Sequence, residues 1–216
     1  MKIDTLKLAL KNTAPIFVGY FLLSFSFGIV AVKMGFAWYI PILMSIFIYS
    51  GALQFLLIGI LKDITLIDIF LTSLLLNSRQ IFYGLSFLNK FKKFKWYLIF
   101  ALTDETYLLL SSIPKDLKDK DRYYLFVSLL DHLYWISGTV LGVAFATTVE
   151  FNIKGLDFIL VALFVVLAIE QFKNTKELFP FMVGAIAFIG TFLLGLNNIF
   201  FPIMLAGLIL LFKVER

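Results

Sequence analysis

Long apolar runs occupy almost the whole chain, and no other feature limits the possible folds so strongly. Eight can be marked: Ile16–Val32, Trp38–Leu61, Ile64–Leu88, Trp96–Ile113, Tyr123–Val149, Leu156–Glu170, Phe179–Leu194 and Ile199–Phe212. A helix needs about 20 residues to cross about 30 Å of hydrocarbon. The middle runs reach that length, whereas the last two are short. Of the 216 residues, 61% are hydrophobic and 15% charged. Soluble domains are nearer about 45–50% apolar, so a soluble fold would have to show the excess to water. The sequence predicts an all-α, polytopic integral membrane bundle of about seven or eight spans. Residues 1–216 are expected to form a single domain, multi-pass in the cell membrane and surrounded by lipid. Broken or re-entrant segments remain open.

Charge and punctuation agree with that reading. Pro15, Pro41, Pro180 and Pro202 lie near the starts of runs and Pro114 just past an end, where a missing backbone donor costs little. The net charge of +5 follows from Lys and Arg between spans, without the basic face or basic tail that nucleic-acid binding needs. There is no Cys, hence no disulfide or thiolate metal site. Ile16–Val32 follows Lys2, Lys7 and Lys11 like a secretory signal, but it is long and lacks a cleavage site, so a retained first helix is expected. Trp38 and Trp96 read as interfacial anchors. With eight spans, the Lys/Arg bias places both termini inside and leaves Lys90, Lys92, Lys93 and Lys95 anomalously outside. With Trp96–Ile113 re-entrant, the N-terminus would be outside instead.

Several polar side chains sit at apparent mid-depth, where an ionisable group costs at least a few kcal/mol without a partner or cavity. They are Asn77 and Arg79 in "LLLNSRQIFYG", Asp104 and Glu105 in "FALTDETYLLL", and Asp131 and His132 in "LLDHLYWISG". The second run adds Ser45, Tyr49, Ser50 and Gln54. Ser45 with Tyr49, and Ser50 with Gln54, are four apart and form a polar stripe beside Gly51. Ser128, Asp131, Trp135, Gly138 and Gly142 share one face, where small residues allow close approach. Asn77 and Arg79 lie about 200° apart on an ideal helix, so both can face one cavity only if the helix breaks there.

Each residue also has a structural explanation. Hydroxyls and amides can bond between helices, Arg79 can pair with Asp104, Glu105 or Asp131, and His132 can be a satisfied core histidine. Asp157 and Lys154 read as interfacial. The concentration of charge in consecutive runs goes further and suggests a substrate site or proton relay. A zwitterionic amino acid would suit it, with Arg79 taking the carboxylate and an acid the ammonium. Candidate site residues are therefore Tyr49, Ser50, Gln54, Asn77, Arg79, Asp104, Glu105, Asp131, His132 and Trp135.

The stretches "FSFGIVAVKMGF" (Phe25–Phe36), "SIFIYSGALQF" (Ser45–Phe55), "LLLNSRQIFYGLSF" (Leu74–Phe87), "LTDETY" (Leu102–Tyr107), "DHLYWISGTVLG" (Asp131–Gly142) and "GLDFILVALFVVL" (Gly155–Leu167) occur in one order along the chain. In that order the chain resembles the AzlC family, large subunits of branched-chain amino acid exporters. The resemblance implies export of small aliphatic amino acids across the cytoplasmic membrane, together with a small hydrophobic AzlD-type subunit. It supplies no catalytic residues, and the last two short runs match only loosely.

A secondary transporter, proton-linked or driven by the substrate gradient and without cofactor, metal or enzymatic activity, is thus expected. No "GxxxxGK[ST]" motif is present for ATP hydrolysis. An intramembrane hydrolase using Asp104, Glu105, Asp131 and His132 is disfavoured by a lone His and the lack of H-E-x-x-H. A non-transporting assembly subunit is the remaining alternative.

Overall fold

A computed structural model describes residues 5–60, 65–113, 117, 119–149, 165, 169 and 178–195. Regular structure among them is entirely helical: α1 (Thr5–Lys33), α2 (Tyr39–Phe47), α3 (Gly51–Ile60), α4 (Leu66–Leu76), α5 (Ser78–Phe87), α6 (Lys95–Phe100), α7 (Asp104–Ser111), α8 (Lys120–Thr148) and α9 (Phe179–Leu193). The chain divides into two compact units, Met1–Ile58 with Asn77–Lys154, and Gly59–Leu76 with Gly155–Arg216.

The first unit is built on α1 and α8, the two described helices long and apolar enough to cross a membrane. They run parallel and in constant register. Asn12 donates to the Tyr123 hydroxyl, the Tyr20 and Trp135 rings meet edge to face, and Lys33 Nζ reaches the Val149 carbonyl. Between these points the backbones touch. A Cβ on Gly138 would lie 2.6 Å from the Phe21 carbonyl oxygen, and one on Gly142 would collide with the Phe25 carbonyl. Small residues let van der Waals contact hold helices together where lipid removes the hydrophobic drive. Helix α1 starts at Thr5, so Pro15 lies inside it rather than at its start. The extra turns hold because Ala9 is fully buried against Phe87, Phe91 and Tyr123.

The run Trp38–Leu61 is not one span. Helix α2 descends from the α8 C-terminal half, with Ser45 bonded to Thr139, and the Tyr49 ring then lies tilted against His132, centroids 4.2 Å apart. Tyr49 has φ 44°, a left-handed backbone that ends the helix. The chain turns back: Gln54 of α3 accepts from Trp135 and donates to Ser45, and Phe55 packs on Phe27. The α2–α3 pair is a helical hairpin with its tip at Tyr49–Ser50.

Trp96–Ile113 folds back from the opposite end. Leu98 of α6 lies in the cluster around Phe87 and Tyr124, and the chain rises to Ala101, which packs with Tyr20 and Trp135. Helix α7 then descends, Thr106 bonding Asp131 and Leu110 rejoining Tyr123 and Tyr124. Thr103 caps α7, its hydroxyl accepting from the Thr106 N–H at 3.3 Å. Asp104 and Glu105, read from the sequence as mid-span, therefore occupy a first helical turn, where the helix dipole favours negative charge.

These packings correct the expected placement of the lysines. Phe91 is buried with Ala9 and Tyr123, and Lys93 shares a pocket with Asp119, Asp121 and Arg122. The lysines of the 90–95 segment thus sit at the end of the unit that holds the N-termini of α1 and α8. Neither arrangement drawn from charge counting had that outcome, since each took Trp38–Leu61 as one continuous helix, whereas it is broken at Tyr49.

In the second unit, α4 opens with a reciprocal cap: the Thr65 N–H and hydroxyl donate to Asp68, and the Asp68 N–H donates back to Thr65. Helix α9 buries Val183, Ala187 and Thr191, one stripe at helical spacing. The expected run Ile199–Phe212, Pro114, Pro202, Lys154 and Asp157 lie outside the described residues, as does Leu156–Glu170 apart from Val165 and Ile169.

Candidate functional site

The two hairpin tips meet halfway along the α1–α8 pair. Tyr49 from one and Ala101 from the other form a buried cluster with Tyr20 of α1 and Trp135 of α8. Irregular backbone at membrane depth is tolerated only where protein or a cavity satisfies its polar groups. Here protein does so. Because Tyr49 N–H bonds Met44, the Ser45 carbonyl is released from the helical ladder, and His132 Nε2 lies 3.2 Å from it. The other ring nitrogen, Nδ1, lies 3.3 Å from the Tyr97 hydroxyl of α6. His132 therefore clips both hairpins to α8.

Of the expected site residues, Tyr49, Ser50, Gln54, His132 and Trp135 belong to this junction. Gln54 is fully buried and holds Trp135 at 2.9 Å and Ser45 at 3.0 Å. Gly51 is needed beside them, since a Cβ there would approach the Trp135 ring to 2.7 Å. Asn77 separates α4 from α5, so the helix does break between the two, and it accepts from Ser50 at 2.7 Å.

Arg79, in the first turn of α5, pairs with Asp104 at 2.7 Å; the side chains are 47% and 35% exposed. This is one of the structural pairings open from sequence. Glu105 is an exposed residue, yet it accepts at 2.7 Å from Tyr20. Asp131 is 0% exposed. Its Oδ2 accepts from Thr106 at 2.8 Å, and its Oδ1 has no hydrogen-bond partner among the described residues.

Tyr20, Thr106 and Thr139 were not singled out from sequence, although they complete the polar core. A single hydroxyl in an apolar run gives no periodic signal. The cap at Thr103 was legible: Thr followed by two acids is an ordinary helix-start pattern. The apolar length of the run hid it.

A profile of the AzlC protein family matches residues 15–149, a span that includes both hairpins. Over 208 residues the chain is 37% identical to the branched-chain amino acid transport protein AzlC of Bacillus subtilis, covering 92% of this chain and 80% of that one. It is 39% identical over 174 residues to an uncharacterized membrane protein of Helicobacter pylori, covering 78% and 76%. A Haemophilus influenzae membrane protein is 33% identical over 222 residues, covering 99% and 91%. No solved structure matches the chain.

Proposed function

This chain belongs to the AzlC family, and from that premise we propose that it is a transporter subunit that exports branched-chain amino acids in exchange for protons. The observation that carries the reading is the junction of two opposed hairpin tips, Tyr49 and Ala101, beside the buried carboxyl of Asp131. Transporters place substrate where broken helices meet at mid-depth, with helix N-termini toward anionic groups. Helices α3, α5 and α7 all begin near this level, at Gly51, Ser78 and Asp104. The substrate carboxylate is assigned to the first turn of α5, with Arg79, and its ammonium to Asp131. The branched side chain is assigned to Tyr20, Tyr49 and Trp135. A proton and an ammonium cannot occupy Asp131 together, which couples the two fluxes by competition.

The chain acts as one multi-pass domain of the cell membrane, its described spans completed by further segments toward the seven or eight expected. Its basic end, with Lys7, Lys11, Lys92, Lys93 and Arg122, faces the cytoplasm by the positive-inside rule. A small AzlD-type subunit covers part of its surface. The test is reconstitution of both subunits in proteoliposomes with an imposed pH difference. Labelled valine should move against its gradient; a folded complex that moves none rejects the reading.

A further inference from the structure

A continuous line of oxygens joins Glu105 to Asp131. Tyr20 bonds Glu105 at 2.7 Å and contacts the Thr103 hydroxyl at 2.5 Å. Thr103 bonds the Thr106 hydroxyl at 2.9 Å, and Thr106 bonds Asp131 at 2.8 Å. The line crosses from an exposed residue of α7, through α1, back to α7 and into the buried face of α8.

Counting protons along this line is informative. It has four oxygen–oxygen contacts but only three hydroxyls to fill them. With both carboxyls ionised, Tyr20 donates to Glu105 while Thr103 and Thr106 donate toward Asp131. The contact between Tyr20 and Thr103 then has no hydrogen. One added proton fills all four contacts, whichever carboxyl carries it.

We infer that Glu105 and Asp131 share a single proton through Tyr20, Thr103 and Thr106, and that this line delivers the coupling proton to Asp131. The inference rests on the transporter reading for its purpose, but not for the proton count. In the transfer, Glu105 gives its proton to the Tyr20 oxygen. The Tyr20 proton passes to Thr103, that of Thr103 to Thr106, and that of Thr106 to Asp131 Oδ2. Glu105 ends ionised, Asp131 ends neutral, and every hydroxyl ends pointing the other way.

Other groups face the two carboxyls without joining the line. His132 lies beside Asp131 on α8 and is held by Ser45 and Tyr97, and Tyr49 comes from the first tip. Asp104 beside Glu105 is neutralised by Arg79. A proton route through His132 would leave Thr106 dispensable, which gives the test its contrast.

Thr106→Val removes one hydroxyl from the line and keeps the side chain's shape. In reconstituted complex, pH-driven valine transport should fall by on the order of a hundredfold, the scale of a lost positioned proton transfer, while valine–valine counterflow persists. Undiminished pH-driven transport in Thr106→Val would overturn the inference. Infrared spectroscopy of the purified protein supplies a readout independent of transport. One protonated carboxyl should be seen at neutral pH, removed by Asp131→Asn or Glu105→Gln and shifted by Thr106→Val. Zero or two protonated carboxyls, or indifference to Thr106→Val, would also overturn it. If the wild type moves no valine but the shared carboxyl signal is present, the transporter reading fails and the shared proton stands.

Discussion

Arg79 and Asp104 are joined by a 2.7 Å ion pair that ties the first turn of α5 to the first turn of α7. Both side chains remain partly exposed, so the pair holds together two helix starts without being sealed off. The expected outcome for Arg79→Ala is a folded protein that has lost valine transport. Exposed pairs contribute about 0–1 kcal/mol, too little to unfold the chain. Exchanging the two charges, Arg79→Asp with Asp104→Arg, should not restore transport, because the guanidinium is assigned to the substrate. Recovery in the exchanged variant, measured as proteoliposome uptake, would reduce Arg79 to a structural role.

The α1–α8 seam predicts a sharp contrast between glycines. A Cβ at Gly142 meets the Phe25 backbone, which cannot rotate away, whereas Gly190 has nothing within 4 Å. Gly142→Ala should cost about 1–3 kcal/mol, the usual range for overpacking, and lower the melting temperature in detergent. Gly190→Ala, in the interior of α9 with open space around it, should leave it unchanged or raise it slightly. Equal melting temperatures for the two variants would mean that the helices do not touch where described.

Gly51→Ala tests the junction more gently. The new methyl would press on the Trp135 ring and strain its 2.9 Å bond to Gln54. Trp135 is buried, while Trp38 and Trp96 are 62% and 82% exposed. In a Trp38→Phe, Trp96→Phe background, fluorescence therefore reports Trp135 alone. Gly51→Ala should increase its access to a soluble quencher, and valine transport should fall with it.

The hairpins make a topological prediction. The chain has no Cys, so single cysteines can be introduced without background. Lys7→Cys, Lys92→Cys and Arg122→Cys should react with an impermeant maleimide from one side of the membrane, and Trp38→Cys from the other. Labelling of Lys7→Cys and Lys92→Cys from opposite sides would rule out the packing of α1 against the 87–91 region.

Much of this was legible in the residues. The face Ser128, Asp131, Trp135, Gly138 and Gly142 is buried as its spacing implied, and the helix is interrupted at Asn77, the condition under which Asn77 and Arg79 could face one cavity. The fold-back of α2–α3 was not legible. Ser50–Gly51 in "SIFIYSGALQF" is a turn signal, but a short one inside a long apolar run. What holds the left-handed backbone of Tyr49 is tertiary, because His132, distant in sequence, takes up the Ser45 carbonyl that the turn releases. Hydropathy counts apolar residues and does not register where a chain reverses. The line from Glu105 to Asp131 was hidden for the same reason, since it draws on single hydroxyls from different helices.

The meeting of the hairpin tips has a consequence for voltage. The hairpins come from opposite ends of the α1–α8 pair and their tips meet in one buried cluster, so a substrate or proton that enters along one must pass Tyr49 and Ala101 to leave along the other. A membrane potential is worth about 2.3 kcal/mol per elementary charge per 100 mV. A net charge carried past the tips gains or loses a share of that energy, so any turnover that moves net charge between the two ends would answer to the membrane potential.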